Sequence, residues 1–388
     1  MLLLIKNADV YAPEKSGRCD LLLGGGKILL MEPDIRIPGR YCEVIEARDL
    51  LAAPGFIDGH VHIMGGGGEG GFATRTPGLS LTDAILGGVT TVVGCLGTDG
   101  FTRTMAGLLA KAKGLDEEGI STFVYSGSYG LPLRTLMPSL EEDLLFIDKV
   151  IGAGEVALSD HRSSQPTFEA FAQLVGMARR GGLLSGKAGI VNVHLGDGPR
   201  GLDFLRRVLA ETELAPSQMW PTHINRNPSL FEEGIAYAKA GGFVDFTTST
   251  LASYLDGGEI TCSVALRRML EAGVDPGQVT FTSDGQGSLP DWDPAGRLQD
   301  ISVGRVTSLF PAVRKAVLEE GIALETALRV ITANPARILK LKAKGRLAPG
   351  MDADLVLLEP GKLEIRTVIA KGRLLMKGGK PLAKGMFE

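Results

Sequence analysis

The 388-residue chain is poor in cysteine. Its four cysteines, Cys19, Cys42, Cys95 and Cys262, stand far apart and form no CxxC pair. That spacing argues against a disulfide framework or a structural zinc knot and for reduced thiols in a cytoplasmic protein. No apolar run reaches the roughly eighteen residues of a membrane span. The opening MLLLIKNADV lacks the basic start and small-residue cleavage site of a signal peptide and reads as a strand. Basic blocks are absent too. The 41 Lys and Arg against 45 Asp and Glu leave a net charge of −4, without the footprint of a nucleic-acid binder. Only glycine is abundant: 53 residues, roughly twice the usual share. They fall in clusters, which points to tight backbone loops in a globular chain.

Residues 1–50 alternate short apolar runs with turns, and residues 345–388 do the same, so both ends are β-rich. The expected small β domain, sandwich-like, combines 1–53 with 345–388. The middle, 54–344, alternates β-branched runs with helical patterns. Candidate strands are 55–61, 89–96, 121–127, 155–160, 190–195, 219–224, 243–249 and 279–284. Between them lie helical segments, among them Thr102–Glu118, Leu140–Ile151, Phe168–Arg180 and Cys262–Ala272. Eight strand–helix units over about 290 residues predict a (β/α)₈ barrel in preference to an open doubly wound sheet. GGGGEGG (65–71) lacks the GxGxxG spacing of a nucleotide loop.

Only five histidines occur: His60, His62, His161, His194 and His223. All but His161 stand at or just past the ends of candidate strands 1, 5 and 6, which in a barrel converge on one face. In the HxH pair of His60 and His62, residues two apart on an extended segment face the same side and can share one ion. Asp284 ends strand 8, beside strand 1 once the barrel closes, and Glu155 is a further inward-pointing carboxylate. One histidine alone would read as a hydrogen-bonded core residue; four with an aspartate at matching strand ends read as a metal centre. His161, next to Arg162, reads as a supporting residue.

GFIDGHVH (55–62), TSDG (282–285) and TANPARIL…KGRLAPGMDADLVLL (332–358) resemble the amidohydrolase superfamily. Within it, HVHIMGGGGEGGFATRTPG (60–78), CLGTD (95–99), SGSYGLPLRT (126–135), SDHRSS (159–164), PTHINRN (221–227) and SDGQGS (283–288) resemble the isoaspartyl (β-aspartyl) dipeptidases over nearly the whole chain. The resemblance implies a binuclear metallohydrolase with two divalent ions, zinc favoured, that attacks β-aspartyl dipeptides with a metal-bridging hydroxide. His60 and His62 would bind one metal with Asp284, and His194 and His223 the second. The family's bridge is a carboxylated lysine; this chain carries Glu155 at the matching place in IGAGEVALSDHRS. Glutamate offers the same carboxylate without CO₂ but is about 3–4 Å shorter when extended, and an extra residue beside Ala153-Gly154 would have to shift the backbone to compensate. Asp160 is the alternative bridge, though its place in the SDHR motif favours a supporting role; Lys149 and Lys187, the nearest lysines, read as solvated.

The resemblance further assigns Asp284 to proton transfer and Tyr129 to carbonyl polarisation. A β-linked dipeptide carries one ammonium and two carboxylates, which call for one anionic contact and two guanidinium forks. Glu69 would meet the ammonium, and Arg162 and Arg226 the carboxylates, with Thr98 and Ser288 as auxiliaries. The partner is a small dipeptide, and a homo-oligomer is implied, an octamer by resemblance. The alternative is another amidohydrolase, acting on cyclic amides or N-acyl amino acids, which would not need Glu69, Arg162 and Arg226 together.

Overall fold

The computed structural model describes residues 2–293 and 297–388. Met1, first residue of the opening run, and residues 294–296, within the expected 54–344 barrel, lie outside them. The barrel strands are β1 (Phe56–Val61), β2 (Val89–Gly94), β3 (Ser121–Ser126), β4 (Val150–Leu158), β5 (Ile190–Leu195), β6 (Met219–Thr222), β7 (Val244–Thr247) and β8 (Val279–Thr282). Strands β1 to β6 pair in chain order as one parallel sheet, and β7 pairs with β8. Two backbone bonds bridge the remaining seams: Ile224 N–H to Asp245 O at 3.1 Å and His62 N–H to Gly285 O at 2.8 Å. Apart from Phe123, every residue of these strands is buried. A parallel barrel is covered on both faces, which is why its strands read as continuous apolar runs without alternation.

Side chains reinforce the seam where the ladder is thin. Asp245 in β7 accepts from Thr222 (2.7 Å) and Thr282 (2.6 Å) on one oxygen and from Thr280 (2.7 Å) on the other. Burial pushes its carboxyl up to about 6, against the pull of these hydroxyl donors. Inside the barrel, Ile57, Val93, Tyr125, Ile190 and Trp220 form a core separate from the one under the helices.

The fourth unit departs from expectation. The helix runs Leu140–Phe146, not to Ile151, and the strand starts at Val150, not at 155. Phe146 is already exposed, whereas 150–158 are all buried. Gly152 and Gly154 lie inside this strand and do not mark a loop before it. The sequence reading also assigns no helices to Leu309–Leu318, Leu324–Arg329 and Ala333–Ile338, which pack after β8.

The chain ends form one nine-stranded sheet, joined where Leu51–Pro54 pairs antiparallel with Leu355–Glu359. It has its own core, including Ile5, Leu21, Ile28, Leu355 and Ile369. Lys344 ties this sheet to the barrel. Its Nζ lies 2.6 Å from Ser121 Oγ at the start of β3, 2.5 Å from Asp354 and 2.9 Å from Asp352. Lys344 and Asp354 are both buried, so removing the ammonium strands a carboxylate away from water. Lys344→Ala should lower stability by about 3–5 kcal/mol, read as a fall in thermal midpoint, while bound metal per folded chain stays unchanged.

Candidate metal centre and substrate cleft

The residues singled out for metal binding converge at the C-terminal mouth of the barrel. Glu155 lies at their centre. One of its oxygens, Oε2, is 3.4 Å from His60 Nε2 and 3.6 Å from His62 Nε2. The other, Oε1, is 2.7 Å from His194 Nδ1 and 3.5 Å from His223 Nε2. Asp284 Oδ1 closes the first cluster at 3.1 Å from His62 Nε2 and 3.6 Å from His60 Nε2. Two ligand groups emerge, His60–His62–Cys95–Glu155 and Glu155–His194–His223, with Glu155 common to both.

A β-bulge supplies the reach that the short side chain lacks. Ala153 pairs with Val191 and Val156 with Val193, so Gly154 and Glu155 together face Asn192. A bulge carries one extra residue and re-aims its side chain. Gly154 sits at φ +138°, and a Cβ there would come within 2.7 Å of Asn192 O; only glycine fits. Lys149 bonds Thr122 O at 3.1 Å and Lys187 bonds Ile147 O at 2.6 Å. Neither side chain is directed to the centre.

The site's polar inventory fits divalent cations. His60 Nε2, His223 Nε2, Glu155 Oε2 and Asp284 Oδ1 are buried without a hydrogen-bond partner. Orphaned buried acceptors of this kind are costly, and cations held by the two ligand groups would satisfy all four. The Glu155 carboxyl is held well below the usual range: burial opposes its charge, but the His60 and His194 imidazoles outweigh it. Burial, and then the neighbouring His194 charge, push His223 down to about 3, so its ring stays neutral as a ligand must. Surrounding groups orient the rings. Thr247 Oγ1 lies 2.6 Å from His223 Nδ1, leaving Nε2 for the centre. Asp160 Oδ2 lies 2.9 Å from His194 Nε2, leaving Nδ1 toward Glu155. Backbone strain accompanies the geometry, with His223 at φ 64° and Asp284 at φ 52°.

Asp160 and His161 flank the centre without joining it. The oxygens of Asp160 are engaged by Arg162 Nε at 3.0 Å and Nη2 at 2.7 Å and by the outer nitrogen of His194, so this carboxylate does not bridge the two histidine clusters. His161 lines the cavity with its side chain 86% exposed, its Nδ1 3.7 Å from Asp160 Oδ1, and is no ligand of the clusters.

Above the centre opens a cavity of about 620 Å³, onto which Glu69, Thr98, Tyr129, Arg162, Arg226 and Ser288 all face. Glu69 accepts from Ser288 Oγ at 3.1 Å, Thr98 Oγ1 at 3.2 Å and Arg162 Nη1 at 3.3 Å. The glycine-rich loop makes this placement possible. At Gly65 and Gly67, both at positive φ, a Cβ would fall 2.2 Å from Thr76 O and 2.4 Å from Thr74 O. Tyr129 Oη lies 2.9 Å from His194 Nδ1. Across the cleft, Arg226 Nη1 is 3.6 Å from Asp197, and its Nε is buried without a partner.

Sequence reasoning missed two residues here. Cys95 lies against the first metal cluster, although its CLGTD segment marked the family. Glu259 lines the cavity, and burial pushes its carboxyl up to about 7. Nothing in its local pattern distinguishes it from a surface acid; only the fold turns it inward.

Comparison with known proteins agrees with this architecture. A model of the amidohydrolase family matches residues 261–375. An allantoinase of Salmonella newport (strain SL254) is 23% identical over 92% of this chain and 86% of its own. A D-hydantoinase structure shares the fold, with TM-score 0.70 at 19% identity over 99% of this chain and 97% of its own. The β-aspartyl dipeptidase of Fervidobacterium islandicum AW-1, solved in complex with the β-Asp-Leu dipeptide, is far more similar. It is 46% identical over 98% of both chains, with TM-score 0.91. The chain belongs to the β-aspartyl dipeptidases of the amidohydrolase superfamily.

Proposed function

We propose that this protein hydrolyses β-aspartyl dipeptides at a centre of two zinc ions bridged by Glu155. The reading is carried by one arrangement: a carboxylate shared by two histidine pairs, beneath a cleft that holds Glu69, Arg162 and Arg226 together. Imidazole and carboxylate donors suit zinc. When bound, the two cations acidify a water and polarise the scissile amide. Asp284 takes the proton of the attacking water and returns it to the leaving amine. Tyr129 directs its phenol at the carbonyl oxygen as negative charge grows there. Thr98 and Ser288 hold Glu69 ready for the substrate ammonium. Arg162, clamped by Asp160, receives one substrate carboxylate and Arg226 the other.

In this proposal segments 1–53 and 345–388 form a domain that carries the 54–344 barrel. The chain acts as a homo-oligomer, a reading supported by exposed Phe146, Leu183 and Leu184 on neighbouring helices. A cytoplasmic setting is supported by four free cysteines. Among the described residues, no helix is long and apolar enough to cross a membrane. The allantoinase and hydantoinase likenesses are too distant to argue for cyclic amides.

The test is a hydrolysis panel of β-Asp-X, α-Asp-X and γ-Glu-X dipeptides, hydantoin and N-acetyl amino acids with added zinc. Turnover should be confined to β-Asp-X; preferential cleavage of hydantoin or N-acetyl substrates would reject the assignment. Within that panel, Arg226→Ala should lower kcat/KM for β-Asp-Leu by about 10–100-fold, the loss of one charge-assisted bond, with little change in melting temperature. A second expectation follows from the bridge. Metal reconstitution should restore full activity equally with and without bicarbonate, because Glu155 needs no CO₂. Glu155→Gln should lose metal and cut the rate by orders of magnitude, whereas bicarbonate-dependent recovery of the wild type would contradict the assignment.

A further inference from the structure

We propose that Cys95 is an additional metal ligand, supplying a thiolate to the position formed by His60, His62 and Glu155. The inference rests on the metal centre proposed above and adds a residue to it. Cys95 follows β2, and its N–H donates to Val61 O at 3.0 Å, which pins it beside the HxH segment. The side chain is fully buried, and Sγ faces the His62 ring, 3.8 Å from Nδ1. The ligand atoms of His60, His62, Cys95 and Glu155 all lie within 4.8 Å of one another. A buried cysteine is ordinarily a small apolar filler. Two observations set this one apart. Its neighbours His60 Nε2 and Glu155 Oε2 are buried and unpartnered, aimed at the same point. By contrast, Cys262 bonds a backbone carbonyl, Thr247 O at 3.1 Å, whereas Cys95 contacts the ring of a histidine in the cluster.

The chemistry is that of other thiolate sites. On metal binding the thiol releases its proton to solvent and a metal–sulfur bond forms. With Glu155 and Asp284, Cys95 brings the ligand charge to three negatives against two dications. A soft thiolate favours zinc or cobalt over magnesium and manganese, so Cys95 would also act as a selectivity residue for the metal.

Zinc-edge X-ray absorption on the zinc-loaded full-length protein decides the matter independently of turnover. The wild type should show a sulfur scatterer at about 2.3 Å beside nitrogen and oxygen at about 2.0–2.2 Å. Cys95→Ser should lose the sulfur shell and its preference for zinc over manganese. Retained zinc with a purely nitrogen and oxygen shell in the wild type would overturn the thiolate and leave the centre standing. A sulfur shell that persists in Cys95→Ser would overturn it equally, and failure to retain zinc would overturn both. The wild-type spectrum suffices if the variant does not fold.

Discussion

Burying a carboxylate costs several kcal/mol, roughly, unless charge and hydrogen bonds compensate it, and Glu155 is buried among four imidazoles at the floor of a cleft. The surrounding architecture answers that constraint. Three strands and the segments just past them deliver His60, His62, His194 and His223 to its two oxygens, and the closure of the barrel brings Asp284 alongside His62. Thr247 and Asp160 turn two of the rings so that the correct nitrogens face inward. Without a cation the unpartnered acceptors would be a liability; with cations they are a ligand set.

The interactions that hold the barrel reach up to its catalytic mouth. The ring of strands is held by its apolar interior, by the Asp245–threonine network at its weakest seam and by Lys344 at the junction with the chain-end sheet. That mouth also carries the positive-φ residues His223 and Asp284, orphaned polar atoms and glycines that only a tight loop requires.

Much of this was legible in the sequence because barrel strands are buried on both faces and announce themselves as apolar β-branched runs, and because histidines are scarce enough for their spacing to carry meaning. What stayed hidden depends on partners distant in the chain. Glycine in IGAGEVAL reads as punctuation, yet Gly154 is the residue that permits the bulge opposite Asn192, and the start of β4 was misplaced for that reason. Cys95 could not be told from an ordinary buried thiol until β1 and β2 lay side by side. Glu259 became a cavity residue only through a fold-dependent turn, and two of the three helices described after β8 span only six residues each.

The central claim is that Glu155 replaces a carboxylated lysine as the bridge between two metals. An anomalous-difference map of zinc-loaded crystals tests it most directly. The account predicts two peaks per chain, each about 2.0–2.2 Å from a different oxygen of Glu155, with His60 and His62 on one peak and His194 and His223 on the other. A single peak, or two peaks with the Glu155 carboxylate turned away from both, would contradict it.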